Sequence, residues 1–228
     1  MQRPSQTGVA NWGGGAFDPE TGLLYVKVSD TYHVSRLCRN DQQDPYVSVA
    51  YSNYCGQRGL FTSRGPQGQA SSTGGPPPDP AYVPDTVGYS GDKLGAIPLT
   101  KPPYAHLVAL DLNRGEIVWR VPFGEGSPAL RSHPLLKGVT LPARLGTVGA
   151  PGLLVTRSGL IFIGGGDPFL YAFDKHTGRE ISRVATPFRT SANPMTYQTR
   201  SGRQFVVIAT GTGSDATLAA FALTEQPR

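Results

Sequence analysis

No stretch of this sequence approaches eighteen uninterrupted apolar residues, which excludes a membrane-crossing helix of the usual kind. Charged residues make up only 16% of the 228 positions, too few for a coiled coil or a chain kept unfolded by charge. The 21 basic residues are scattered, so the net charge of +5 describes a mildly basic surface with no groove for nucleic acid. There are two cysteines, Cys38 and Cys55, and they form no CxxC, which argues against zinc and thioredoxin-type chemistry. A CxxCH is also lacking, which excludes covalent c-type haem. In an oxidising compartment the pair could close a loop disulfide; in a reducing one both would be ordinary thiols. His33, His106, His133 and His176 show no mutual metal spacing, and no catalytic or metal-ligating residue is assigned. The first eight residues lack an apolar core, so no export signal is read from them.

What is abundant is punctuation. Glycine (29) and proline (21) fill about a fifth of the chain, roughly twice average usage. They break the hydrophobic residues into short runs, the pattern of many short strands joined by turns. The expectation is an all-β protein.

The strongest internal signal is a repeat. Thr-Arg-Ser-Gly occurs at 156–159 and again at 199–202, each time between two strand-like runs. Leu153–Val155 and Leu160–Ile163 flank the first copy; Met195–Tyr197 and Gln204–Ile208 flank the second. A third hairpin pairs Ala16–Asp18 with Leu23–Val26 across Pro-Glu-Thr-Gly. A further element also recurs. Asp111 to Gly115 and on to Trp119 matches Asp174 to Gly178 and on to Ser182. Each reads as a strand ending in Asp, a tight turn closed by Gly, and another strand; Asp accepts from turn amides and Gly supplies positive φ. Trp119 is expected to pack between adjacent blades, and Ser182 departs from that pattern. Repeats of about forty residues carrying four strands are the signature of β-propeller blades.

Counting strands assigns a hairpin at 9–29, an inserted loop at 30–105, blade strands at 106–122, a blade at 152–184 and an incomplete blade at 194–223. Fewer than three full blades cannot close a ring, so residues 1–228 read as one partial propeller domain, the C-terminal two to three blades of a larger ring. The insertion carries a Gly/Pro/Ser-rich middle from Ser63 to Pro80, which reads as a spacer or surface loop.

The motifs in order carry a resemblance. Asn11-Trp-Gly-Gly-Gly-Ala-Phe-Asp-Pro-Glu-Thr-Gly-Leu-Leu-Tyr-Val26, the Asp111–Trp119 element, Gly164-Gly-Gly-Asp167, Asn193-Pro-Met-Thr-Tyr197 and Arg203 to Gly211 resemble the pyrroloquinoline quinone (PQQ)-dependent dehydrogenases. The glucose-dehydrogenase-like branch is the most similar. The resemblance implies an eight-bladed propeller with PQQ on its axis and Ca²⁺ beside it. It also implies oxidation of an alcohol or aldose sugar, electron transfer to ubiquinone or a cytochrome, and a periplasmic location inherited from a longer exported parent. Membrane association would come only through a missing N-terminal region. Carried over by position, the cofactor-facing residues are Asn11, Asp167, Gly211 and Gly213. Trp12 is expected to pack a blade. No Trp stands in Gly146–Ala150, where methanol-dehydrogenase relatives place one under the quinone. The family's calcium ligands, general-base Asp and the cation over the quinone are expected upstream, so the chain alone is expected to be inactive. The alternative is a non-catalytic propeller scaffold that binds proteins.

Overall fold

The computed structural model describes residues 10, 13–30, 38–39, 51–52, 97–98, 100–149 and 151–223. Its first sheet is built from β1 (Gly15–Asp18), β2 (Leu23–Ser29), β5 (Ala105–Asp111) and β6 (Glu116–Pro122), antiparallel throughout and in that order. A short pair, β3 (Cys38–Arg39) and β4 (Tyr51–Ser52), lies within the insertion. The insertion leaves and rejoins the same sheet. Ser29 pairs with Ala105, and the Asp30 amide donates to the Tyr104 carbonyl at 2.8 Å. A long excursion can therefore sit between β2 and β5 without disturbing their register, since closing a longer loop costs little more than closing a short one.

The connection after β6 holds one helical turn, α1 (Pro128–Arg131), and a 3₁₀ turn at Pro134–Leu136. Neither was anticipated from the all-β reading. The second sheet runs β10 (Glu180–Ala185), β9 (Phe169–Asp174), β8 (Leu160–Gly164) and β7 (Leu153–Val155). The third has three strands, β11 (Met195–Gln198), β12 (Gln204–Thr210) and β13 (Thr217–Phe221).

Period-two alternation stacks these sheets. Ile161, Ile163, Tyr171 and Phe173 face the first sheet, where they join Leu23, Tyr25, Leu107 and Ala109 in one buried cluster. The intervening Phe162 and Leu170 face the third sheet and meet Ile208, Ala219 and Val206. The middle sheet thus contributes apolar side chains to both neighbours. The leading strands of the first two sheets meet, β1 against β7. Three sheets stacked in this way are successive blades of a partial propeller, the fold class expected from the repeat.

The recurring Asp–Gly element folds alike in both copies. Gly115 and Gly178 each hold φ +69° and donate to the carbonyls of Asp111 and Asp174. A bulge follows at the same place, leaving Val118 and Ile181 out of register. Trp119 then packs on the neighbouring blade. Its indole N–H donates to the Lys175 carbonyl at 3.1 Å and its ring covers Gly178.

Candidate functional site at the loop end of the blades

Every β-hairpin turn of the Asp–Gly or Thr-Arg-Ser-Gly type lies at one end of the sheets. The glycine-rich segments lie at the other, because antiparallel pairing sends them there. The start of β1, the end of β2, the start of β7, the β8–β9 loop, the start of β11 and the β12–β13 loop all share that second end.

The loop between β8 and β9 is the most constrained part of it. Gly165 has no room for a side chain: a Cβ there would meet the Asp167 carboxylate and come within 2.5 Å of the Tyr171 ring. Gly166 turns the chain at φ +76°. Asp167 consequently folds back over Gly165, and its Oδ2 accepts from the Tyr171 hydroxyl at 2.5 Å. Its Oδ1 is buried and has no partner among the described residues. Burial pushes the Asp167 carboxyl above the ordinary carboxylate range, and the Tyr171 hydrogen bond opposes that shift in part. Burial first, and then the carboxylate it bonds, push the Tyr171 phenol upward.

Thr190 stitches this loop to the next blade. It is fully buried; its Oγ1 accepts from the Gly165 amide at 3.0 Å and lies 3.0–3.1 Å from the Phe169 and Asp167 carbonyls. Its amide donates to the Asp167 carbonyl, and its carbonyl accepts from Gly166. Thr190 also bridges to Thr210, and the Gly211 amide donates to the Arg189 carbonyl at 3.0 Å. Asp167 and Gly211 are therefore held on one rim by a single intervening segment. Gly213, two residues on, opens an exposed 3₁₀ turn, Gly213–Asp215. Asn11 lies outside the described residues, as does Trp12; Gly13 is described, and its carbonyl accepts from the Asn193 amide at 3.3 Å. Asn193 also packs over Gly152, where a Cβ would collide with it. One side chain thus links the entries of β1, β7 and β11.

The sequence reading did not single out Lys27. It is 3% exposed on the inward face of β2, bonded to Ser29 Oγ at 2.7 Å and to the Gly149 carbonyl. Both partners are neutral, and burial lowers the amine to about 7. Its signal was available: alternation puts Lys27 on the face of Leu23 and Tyr25. Tyr171 was missed because its role depends on a fold-back that spacing does not reveal. Cys55 lies outside the described residues, and the described part of Cys38 is its backbone, so the disulfide question falls outside them too.

Residues 1–206 match the family model described as glucose/ethanol/alcohol dehydrogenase, β-propeller domain, a PQQ domain. The chain belongs to this family of quinoprotein dehydrogenases. It is 29% identical over 213 residues to the glycerol dehydrogenase large subunit of Gluconobacter thailandicus, which covers 92% of this chain and 27% of that protein. It is 28% identical over 215 residues to quinoprotein glucose dehydrogenase A of Acinetobacter calcoaceticus, covering 91% of this chain and 23% of that one. The chain thus spans about a quarter of the length of the curated relatives it matches. Among solved structures, the quinohemoprotein alcohol dehydrogenase from Comamonas testosteroni superposes with a TM-score of 0.55 at 19% identity, covering 99% of this chain and 28% of that one. That likeness is one of fold.

Proposed function

We propose that the chain forms the C-terminal blades of a periplasmic PQQ-dependent dehydrogenase that oxidises an alcohol or aldose sugar and passes electrons to ubiquinone or a cytochrome. The carrying observation is the Asp167 carboxylate, held at the loop end with one oxygen bonded to Tyr171 and the other buried without a partner. Gly165 admits the carboxylate and the Tyr171 ring over its bare Cα, and this fixed polar group suits a cofactor with polar edges. PQQ, when bound, supplies the two-electron acceptor that ordinary side chains lack.

This chain's own contribution is to bind and orient. Asp167 offers a fixed acceptor, Gly211 and Gly213 keep the rim low, and Asn11 in the segment before Gly13 offers an amide. Thr190 holds the two loops at a fixed separation. Ca²⁺, its ligands and the general base belong in this reading to upstream blades, as does the choice of substrate, and the chain alone is inactive.

The test is a titration of the purified protein with PQQ, with and without Ca²⁺, followed by tryptophan fluorescence. No binding alone, with binding restored when the upstream blades are supplied, is the expected result. Saturable calcium-dependent binding by the chain alone would show that the pocket needs no further blades. Failure in both conditions would shift the reading to a non-catalytic propeller scaffold.

A further inference from the structure

Tyr171 is not among the residues that the family resemblance carries to the cofactor, yet its geometry ties it to one that is. Its ring is fully buried and boxed by three aromatic neighbours, with Phe123, Phe169 and Phe173 at centroid distances of 5.5, 6.2 and 6.3 Å. The hydroxyl cannot swing away to solvent, and its donor is committed to Asp167 Oδ2. Gly165 lets the two groups meet, since any side chain there would drive them apart. Across the strand pair from Tyr171 stands Arg183, which approaches the same hydroxyl, lies over the Phe169 ring at 5.2 Å and pairs with Glu125. Glu125 also pairs with Arg144, which in turn bonds Glu180. A line of alternating charge therefore runs from the blade interface to the phenol and ends at Asp167.

We propose that Tyr171 is a positioning residue for the cofactor end, fixing the Asp167 carboxylate so that Oδ1 is presented to an N–H or O–H donor of the bound molecule, with Arg183, itself held by Glu125, orienting the phenol. This rests on the proposed function for the identity of that molecule, but not for the coupling itself. The fixed hydrogen bond has two consequences. It stabilises the ionised carboxylate against the burial that disfavours it. It also occupies Oδ2, leaving Oδ1 as the acceptor still to be satisfied. The charged groups near Asp167 are Glu125 from the segment after β6, Arg183 and Arg144 through Tyr171, and Arg189, whose Nε donates to the Gly166 carbonyl at 2.7 Å. None of them bonds the carboxylate directly; the backbone amides of Asp167 and Phe169 also favour its ionised form but no side-chain substitution removes them, so Tyr171 is the adjustable contact.

The decisive measurement is the titration midpoint of the Asp167 carboxyl, followed by its ¹³C chemical shift, in the protein and in Tyr171→Phe. Loss of the donor should raise the midpoint by about one pH unit, while the aromatic packing stays. Arg183→Gln should move it less. An unmoved midpoint in folded Tyr171→Phe would overturn the proposal and leave Tyr171 a packing residue. If that variant does not fold, 3-fluorotyrosine incorporation keeps the shape and makes the phenol a stronger donor. The midpoint should then fall; no change would equally overturn the idea. A parallel PQQ titration across pH, in the presence of the upstream blades, separates the two readings. An affinity profile that shifts with the midpoint supports both. A carboxyl that responds to Tyr171 in a protein that never binds PQQ upholds the positioning role and refutes the cofactor.

Discussion

The two ends of the blades solve opposite problems with similar residues. At the turn end, every carboxylate among the described residues is occupied. Asp18 accepts from the Glu20 amide and Thr21 hydroxyl and pairs with Lys175 at 2.8 Å, both side chains almost wholly buried. Asp111 and Asp174 each accept two turn amides. At the loop end, Asp167 keeps a buried oxygen without a partner, and Lys27 is buried against neutral oxygens only. A fold gains nothing in stability from such groups, since burying a charge or a lone acceptor is costly without compensation. The comparison teaches that the turn end holds the blades together while the loop end is kept ready for something else.

The largest effect should come from the turn end. Lys175→Met leaves Asp18 ionised in a buried site, and Asp18→Asn does the reverse to Lys175. Either should cost about 3–5 kcal/mol, the usual result of removing one partner of a buried pair, read as a lower urea midpoint. The pH sign follows from Asp18, whose pKa is depressed chiefly by Lys175. The stabilisation is present above the unfolded carboxylate pKa and is lost as pH falls through the lower folded value. A wild-type protein with no acid-sensitive loss beyond that of Asp18→Asn would break the contrast between the ends.

Lys27 tests the other side of it. Its folded pKa of about 7 lies below the ordinary lysine value of 10.5. Between these values the unfolded chain binds a proton that the folded chain does not. Stability should therefore rise with pH across that window, by at most about 1.4 kcal/mol per unit. Lys27→Met should abolish this slope and raise stability at neutral pH. A slope that survives the substitution would place the cause elsewhere. Next in size is Thr190→Val, which removes the acceptor of the Gly165 amide and should cost about 1–3 kcal/mol. It should also loosen the Asp167 loop, seen as faster amide exchange at Gly165 and Gly166.

What could be read in advance divides by separation along the chain, not by end. The hairpin turns were legible because their interactions are local. Asp111 and Gly115, or Asp174 and Gly178, are four residues apart, and Trp119 announced its docking by recurring position. The Lys175–Asp18 pair joins residues 157 positions apart, and Lys27 reaches Gly149 across 122; no spacing rule links such partners. Gly164-Gly-Gly-Asp167 stood out as a motif. That Asp167 would fold onto Tyr171 depends on the turn at Gly166 and on three aromatic rings fixing the phenol. The helical turn at Pro128–Arg131 escaped because four residues give too little periodicity to detect.

The smallest and most specific prediction uses two glycines of one turn type. Gly115 and Gly178 share φ +69° and the same hydrogen bond, so replacing either with Ala imposes the same backbone strain, about 1 kcal/mol. Their surroundings differ. An added Cβ at Gly115 meets nothing within 4 Å, whereas at Gly178 it would lie 2.6 Å from the Trp119 ring. Gly178→Ala should therefore be the more destabilising of the two, and the excess measures how tightly Trp119 seals one blade to the next. Placing both in a Trp119→Phe background sharpens the point. If the smaller ring gives way, the excess should shrink while the Gly115 value stays put. An equal cost at both positions in the wild-type background would mean that the indole yields freely, and that the turn end owes its strength to the Asp18–Lys175 pair instead.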